Sequence, residues 1–121
     1  MQLVLVVDDF PESVDALFAL LDEKGFAVAL ALDGEEAVRA VKDRRPDVIV
    51  MDLAMPKVDG LEAARRIKGD PATRSIPIVI YTAHVGAELQ VICEGLGVDC
   101  VFGKPDSAPN VVSAVERLCA A

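Results

Sequence analysis

Positive charge is scarce in this sequence. Twelve lysines and arginines stand against 20 aspartates and glutamates, a formal net charge of −8. A surface that grips nucleic acid needs the opposite sign to displace the counterions around the phosphates, so direct binding to DNA or RNA is disfavoured. An acidic domain is better matched to a basic partner surface or to cations, and solubility accounts for part of such a charge. Cysteine is sparse too, at Cys93, Cys100 and Cys119. An odd count with no short spacing fits neither a disulfide framework nor a zinc site. The expected role is that of small buried hydrophobes in a reducing compartment. The one histidine is His84, expected in an exposed loop, and no cysteine–histidine pair for nucleophilic catalysis is evident. No apolar run approaches the roughly 20 residues that cross a bilayer. No basic stretch precedes an apolar one at the N-terminus, so a secretion signal is not expected either. The cytoplasm follows as the expected location, without membrane contact. Linkers, low-complexity tracts and internal repeats are missing, and 121 residues suit one domain with no output domain attached.

Hydrophobic residues make up 53% of the chain and charged residues 26%, enough for a packed core and too apolar for disorder. Strand-like and helix-like patterns alternate from end to end. Leu3–Val7 reads as strand. Pro11 suits the first position of a helix that runs to about Lys24, with Val14, Leu17, Phe18 and Leu21 on one face and Gly25 as its stop. Phe26–Leu30 is strand. Asp33 with Glu36 resembles a capping box and opens a helix carrying Ala37, Val38 and Val41. Pro46 ends that segment before the strand Val48–Met51. Residues 54–58 read as loop, with Met55-Pro56 shaping it. Asp59 with Glu62 starts a helix through Leu61, Ala64 and Ile67, broken at Gly69-Asp70-Pro71. Ile76–Tyr81 is strand, with Pro77 near its start where a missing donor is tolerated. A weakly patterned helix, Ala87 to Glu94, is closed by Gly95 and Gly97. A short strand Asp99–Phe102 and a final helix from about Ser107, carrying Val111, Val112, Val115 and Leu118, complete the chain. Five repeats of strand then helix predict an α/β fold with a mainly parallel sheet, helices on both faces and right-handed crossovers.

The chemistry stands at the ends of three apolar runs. Leu3-Val4-Leu5-Val6-Val7 stops at Asp8 and Asp9, Val48-Ile49-Val50-Met51 stops at Asp52, and Val101-Phe102-Gly103 stops at Lys104. Runs this short and this apolar are strands buried on both faces. In open α/β sheets, ligands bind beyond the carboxyl ends of the strands. Carboxylates gathered there repel one another unless a cation joins them, which points to a hard divalent metal and a phosphoryl group. Each residue alone has a plainer role: a lone aspartate at a strand end usually caps a helix, and a lone lysine is a surface charge.

Taken together, these residues resemble the receiver domain of two-component response regulators. The matching segments are Val6-Val7-Asp8-Asp9, Asp52-Leu53-x-Met55-Pro56-x-x-Asp59-Gly60, Thr82-Ala83 and Lys104-Pro105, in order and spread over essentially the whole chain. The resemblance implies a flavodoxin-like (βα)5 fold with strand order 2-1-3-4-5, whose crevice lies between the first and third strands. It implies that Asp52 is the phosphoacceptor, taking a phosphoryl group from a phosphohistidine. Asp9 and Asp52, with the backbone carbonyl of Ala54, would bind Mg2+, and Asp8 would help through a water. Lys104 would pair with Asp52 and then with the phosphoryl oxygens, and Thr82 would donate its hydroxyl to one of them. Lys104-Pro105 would be a cis peptide, a low-cost geometry for proline. Asp59 is expected to be a helix cap rather than a site residue. Expected partners are a histidine kinase or phosphotransfer protein and a downstream target bound at the face of the fourth helix, fifth strand and fifth helix, the chain being a monomer or weak dimer. It would be a signalling switch rather than an enzyme, with self-phosphorylation and autodephosphorylation.

The sequence departs from the family pattern at Val101, where an aromatic residue often stands three positions before the lysine. Valine is smaller and stiff at its first torsion, so a weaker change around Thr82 and Val101 on phosphorylation is expected. Ala54 and His84 occupy the positions that in the family tune attack by water. Three other functions fit the sequence less well. A phosphorylation-independent scaffold is disfavoured because Asp8, Asp9, Asp52, Thr82 and Lys104 are all retained. A flavodoxin needs a hydroxyl- and glycine-rich phosphate loop where Asp8-Asp9-Phe10-Pro11-Glu12 stands. A haloacid-dehalogenase-like phosphatase needs an Asp-x-Asp pattern after the first strand, which is missing.

Overall fold

Strand β1, Leu3–Val7, is buried at every position, which only a sheet covered on both faces allows. The structure, a computed structural model, describes residues 2–54 and 59–120. Among these, β1 is followed by α1 (Pro11–Glu23), β2 (Ala27–Ala31), α2 (Gly34–Asp43), β3 (Val48–Met51), α3 (Gly60–Gly69), β4 (Ile78–Thr82), α4 (Ala87–Leu96), β5 (Cys100–Gly103) and α5 (Ala108–Ala120). The strands form one five-stranded sheet in the order 2-1-3-4-5, and every pairing is parallel. The α/β repeat is as read from the sequence, and the strand order is the one the resemblance implied.

Strand side chains alternate between two core layers. Leu5, Val7, Ile49, Met51, Ile78 and Ile80 face α2, α3 and α4, where Ala37, Val41, Ala64, Ile67 and Cys93 meet them. Val4, Val6, Val48, Val50, Val79 and Tyr81 face α1 and α5, against Leu17, Leu21, Val111 and Val115. Each fully buried branched side chain contributes on the order of 1.5–3 kcal/mol of transfer free energy. The sheet, buried throughout its three central strands, is therefore a stiff platform for the loops beyond its strand ends.

Local signals act where the sequence placed them. The Asp33 side chain accepts from the amide of Glu36 at 2.8 Å and the Asp59 side chain from that of Glu62 at 2.9 Å, each at a helix start. Glycine is required at position 60. A Cβ there would run into the carbonyl oxygen of Asp52 and come within 2.8 Å of the Cα of Leu53. The first turn of α3 thus lies directly on the chain leaving β3, and the Gly60 amide donates to the Leu53 carbonyl at 3.2 Å.

Several expectations are corrected. Phe18 is 48% exposed, because the buried stripe of α1 narrows to Leu17 and Leu21. β2 starts one residue late, since the Phe26 amide closes the end of α1 on the Leu21 carbonyl. β4 runs from Ile78 to Thr82: the Ile76 amide belongs to the preceding turn, bonded to the Thr73 carbonyl, and Thr82 pairs with Gly103 as part of the sheet rather than lying after it. α4 passes through Gly95 and ends at Gly97, whose φ of 85° is the left-handed cap glycine adopts readily. β5 starts at Cys100 because Asp99 uses both backbone and side chain to cap Ile78. Cys93 is buried, but Cys100 and Cys119 are only half-buried; all three are free thiols. The loop expected at 54–58 and its Met55-Pro56 pair lie, beyond Ala54, outside the described residues.

Candidate functional site

The carboxyl ends of β1 and β3 lie side by side because Val7 pairs with Met51. The Asp8 amide donates to the Ala31 carbonyl at 3.0 Å and the Asp52 amide to the Val7 carbonyl at 2.9 Å, so both aspartates extend the ladder by one step. That fixes their backbones and leaves their carboxylates at the crevice. Both are buried, Asp8 2% and Asp52 7% exposed. Thr82, at the end of β4, is buried as well. Its carbonyl accepts from the Lys104 amide at 2.8 Å, which draws the chain after β5 across toward β3. The Lys104-Pro105 peptide bond is cis, as the resemblance implied.

Lys104 carries its ammonium into the crevice. Its Nζ lies 2.8 Å from Asp8 Oδ2 and 3.0 Å from Asp52 Oδ2, and all three side chains are at most 11% exposed. The remaining oxygens are also engaged. Asp8 Oδ1 accepts from the Phe10 amide at 2.9 Å, and Asp52 Oδ1 from the Ala54 amide at a longer 3.3 Å. Two rings flank the ammonium, with centroids 5.8 Å away for Phe10 and 5.7 Å for Tyr81. The Tyr81 hydroxyl donates to the Pro105 carbonyl at 2.9 Å. Burial pushes the Asp8 carboxyl above its usual range, and the hydrogen bond and charge of Lys104 only partly offset this. Burial also opposes the charge on Lys104, but its hydrogen bonds to Asp8 and Asp52 outweigh it and raise the lysine above its usual value. One ammonium serves two carboxylates, so Asp8 shares its cationic partner while the lysine gains two anionic ones.

Asp9 is exposed. It closes a cluster in which one oxygen from each of Asp8, Asp9 and Asp52 lies within 4.8 Å of the others. A cleft of about 550 Å3 opens beside it, lined by Asp9, Asp52, Ala54, Thr82, His84 and Lys104 among others. An all-oxygen, anionic donor set suits a hard divalent cation such as Mg2+, which takes about six oxygens and keeps several waters. Asp9 and Asp52 line the cleft and fit direct ligation, whereas Asp8, which is not among the residues lining it, fits a more distant role. His84 lies exposed on the rim.

All the site residues expected from the sequence are thus brought to one place: Asp8, Asp9, Asp52, Ala54, Thr82 and Lys104. What the sequence did not disclose is the Asp8–Lys104 pair and the two rings. Phe10 follows the paired acids directly and could have been suspected. Tyr81 could not, because alternation along β4 sends it to the opposite face from Thr82, and only the turn at Pro105 returns the chain to its hydroxyl.

Known proteins share this sequence pattern and this fold. The model of the response regulator receiver domain matches residues 4–116. Response regulator PleD of Caulobacter vibrioides is 41% identical over 83 residues, 69% of this chain and 18% of that protein. The DNA-binding response regulator MtrA of Mycolicibacterium smegmatis is 33% identical over 114 residues, 94% of this chain and 49% of that protein. The chain thus spans about half, or less, of the length of these relatives. Among solved structures, the receiver domain of a sensor histidine kinase from Pseudomonas aeruginosa, with a magnesium ion coordinated in its active-site cleft, superposes with a TM-score of 0.88 at 30% identity, covering 99% of this chain and 98% of that one. The signal receiver domain of a histidine kinase from Syntrophus aciditrophicus gives 0.89 at 32% identity, over 99% and 91%. This chain therefore belongs to the response regulator receiver domains of two-component signal transduction.

Proposed function

We propose that the chain is a phosphoacceptor switch in which Asp52 receives the phosphoryl group. The observation that carries this reading is the position of Lys104, whose ammonium bridges Asp8 and Asp52 at the cleft where three carboxylates converge. A carboxylate oxygen of Asp52 forms a new P–O bond while the P–N bond of a donor phosphohistidine breaks, its electron pair staying on the imidazole nitrogen. Lys104 moves from the carboxylate pair to a phosphoryl oxygen, where its charge offsets the anion. The Thr82 hydroxyl donates to another. Later attack by water on phosphorus restores the Asp52 carboxylate and releases inorganic phosphate. Asp9, Asp52 and the Ala54 carbonyl would hold Mg2+, with Asp8 acting through an intervening water. When bound, the ion supplies the charge that lets a carboxylate approach an anionic phosphoryl group.

Receiver domains work with histidine kinases or phosphotransfer proteins, and one of these is the proposed donor here. The proposed target surface is the face of α4, β5 and α5. Its support is α4, which leaves Val91 68% exposed while burying only Cys93, an exposed apolar side chain of the kind a partner covers. Residues 1–121 are proposed to act as one receiver unit, in the cytoplasm.

The test is intact mass after incubation with acetyl phosphate and Mg2+. Wild type is expected to gain one phosphoryl group and Asp52→Asn none; equal gain by both would overturn the assignment.

A further inference from the structure

The pairs that hold Lys104 do not survive the chemistry proposed for the site. Phosphorylation removes the carboxylate charge of Asp52, and a cation in the cluster competes for Asp8. Two partners carry no charge for either event to remove, the rings of Phe10 and Tyr81, both within 6 Å of the ammonium, the range in which a ring face attracts a cation. Their placement is built in. The Asp8 carboxylate accepts from the Phe10 amide with one oxygen and from Lys104 with the other, so the residue that pairs with the lysine also sets the ring beside it. Tyr81 is 3% exposed, anchored among the side chains facing α1 and α5. Its hydroxyl holds the carbonyl of Pro105, the residue after the lysine, while the carbonyl of Thr82 holds the lysine's own amide. Lys104 is thereby fixed along its backbone and flanked by rings at its tip.

We propose that Phe10 and Tyr81 are positioning residues for the phosphoryl-transfer reaction, a two-ring cage that keeps the Lys104 ammonium in the cleft as its carboxylate partners change. This rests on the phosphoacceptor reading. Neither ring touches the reacting atoms; each acts through the lysine. Phe10 is half exposed, so exchanging it leaves the core intact. A leucine there keeps an apolar side chain but has no electron-rich face, which separates a cage from a mere cover over the cleft.

The test has two parts. Phosphorylation rates with acetyl phosphate and Mg2+ are compared for wild type, Phe10→Leu and Phe10→Tyr. Phe10→Leu is expected to slow the reaction roughly three- to tenfold, and Phe10→Tyr to restore a rate close to wild type. Tyr81→Phe, which keeps the ring and loses only the hydroxyl, should be affected less than Tyr81→Leu. The second part needs neither metal nor phosphoryl group: melting temperatures in chelator for Phe10→Leu, Lys104→Met and the double variant. The loss caused by Phe10→Leu should shrink once Lys104 is methionine. Additive melting shifts, or a Phe10→Leu rate equal to wild type, overturn the cage. Failure of wild type itself to gain a phosphoryl group would instead strike the phosphoacceptor reading, and the melting cycle would then decide the cage alone.

Discussion

Among the three clustered carboxylates, Asp9 has the least to hold it in place. Asp8 and Asp52 share the Lys104 ammonium, whereas among the described residues Asp9 makes no ion pair and lies exposed beside them. Without a cation its charge is a net repulsion, on the order of 0.5–1 kcal/mol at such an exposed position. Asp9→Asn is therefore expected to raise the melting temperature in chelator, by about 2–5 °C at this chain length. Wild type should gain stability on adding Mg2+, by mass action on the folded state, and Asp9→Asn should lose most of that response. A variant less stable than wild type in chelator would contradict the cluster. At this scale the sequence was legible where chemistry demands a residue type. Acids at strand ends and a lysine beyond the last strand could be named in advance, because few other arrangements explain them. The sharing of Lys104 between Asp8 and Asp52 was not legible, since it depends on side-chain reach across 96 and 52 residues of sequence.

Helix α3 joins the site to the surface. Gly60 sets it against the Asp52 backbone, and its outer face carries Glu62 held by Arg65 at 2.6 Å and Arg66 at 2.8 Å. The hydrogen bonds from Arg65 and Arg66 bring the Glu62 carboxyl from its usual 4.5 down to about 2. A depressed acid contributes stability that is present above its unfolded-state value and lost as pH falls through its folded value. The window is thus about pH 4.5 to about 2. The network is at the surface, so solvent and salt screen it. Glu62→Gln should lower the melting temperature slightly at pH 7, and the gap from wild type should close as pH approaches 2 and narrow in high salt. A gap that stays constant over that range would contradict the network. At the edge of the sheet, Val101 pairs with Ile80 and packs half-buried against the core cluster that includes Cys93 of α4. With no ring to rearrange there, amide shifts on adding a phosphoryl mimic should be small at Val101 and along α4; large shifts concentrated there would refute this. Element types followed directly from apolar periodicity and caps. Their ends moved by one or two residues wherever a backbone amide chose a turn over the ladder, as at Phe26 and Ile76, a competition that pattern alone does not resolve.

Across the whole molecule, one topological fact makes the site. Order 2-1-3-4-5 sends the chain after β1 to one face of the sheet and the chain after β3 to the other, leaving a crevice between them. Beneath the crevice lies packed hydrocarbon, so the buried carboxylates of Asp8 and Asp52 and the Lys104 ammonium interact in surroundings poorer in water than a surface. Alternation of strand and helix could be read from the sequence, but the strand order could not: it came with the family resemblance, because periodicity does not say which strands are neighbours. The face toward the target is the least legible feature, since exposed apolar residues on α4 mark a surface without naming what covers it. The central claim, that this fold makes Asp52 the phosphoacceptor, is open to direct measurement. Borohydride converts an aspartyl phosphate to homoserine, which peptide mass spectrometry locates. After treatment with acetyl phosphate and Mg2+, homoserine is expected at position 52 and at no other aspartate. Homoserine at position 8 or 9, or none at 52 despite a gain of phosphate, would contradict the account.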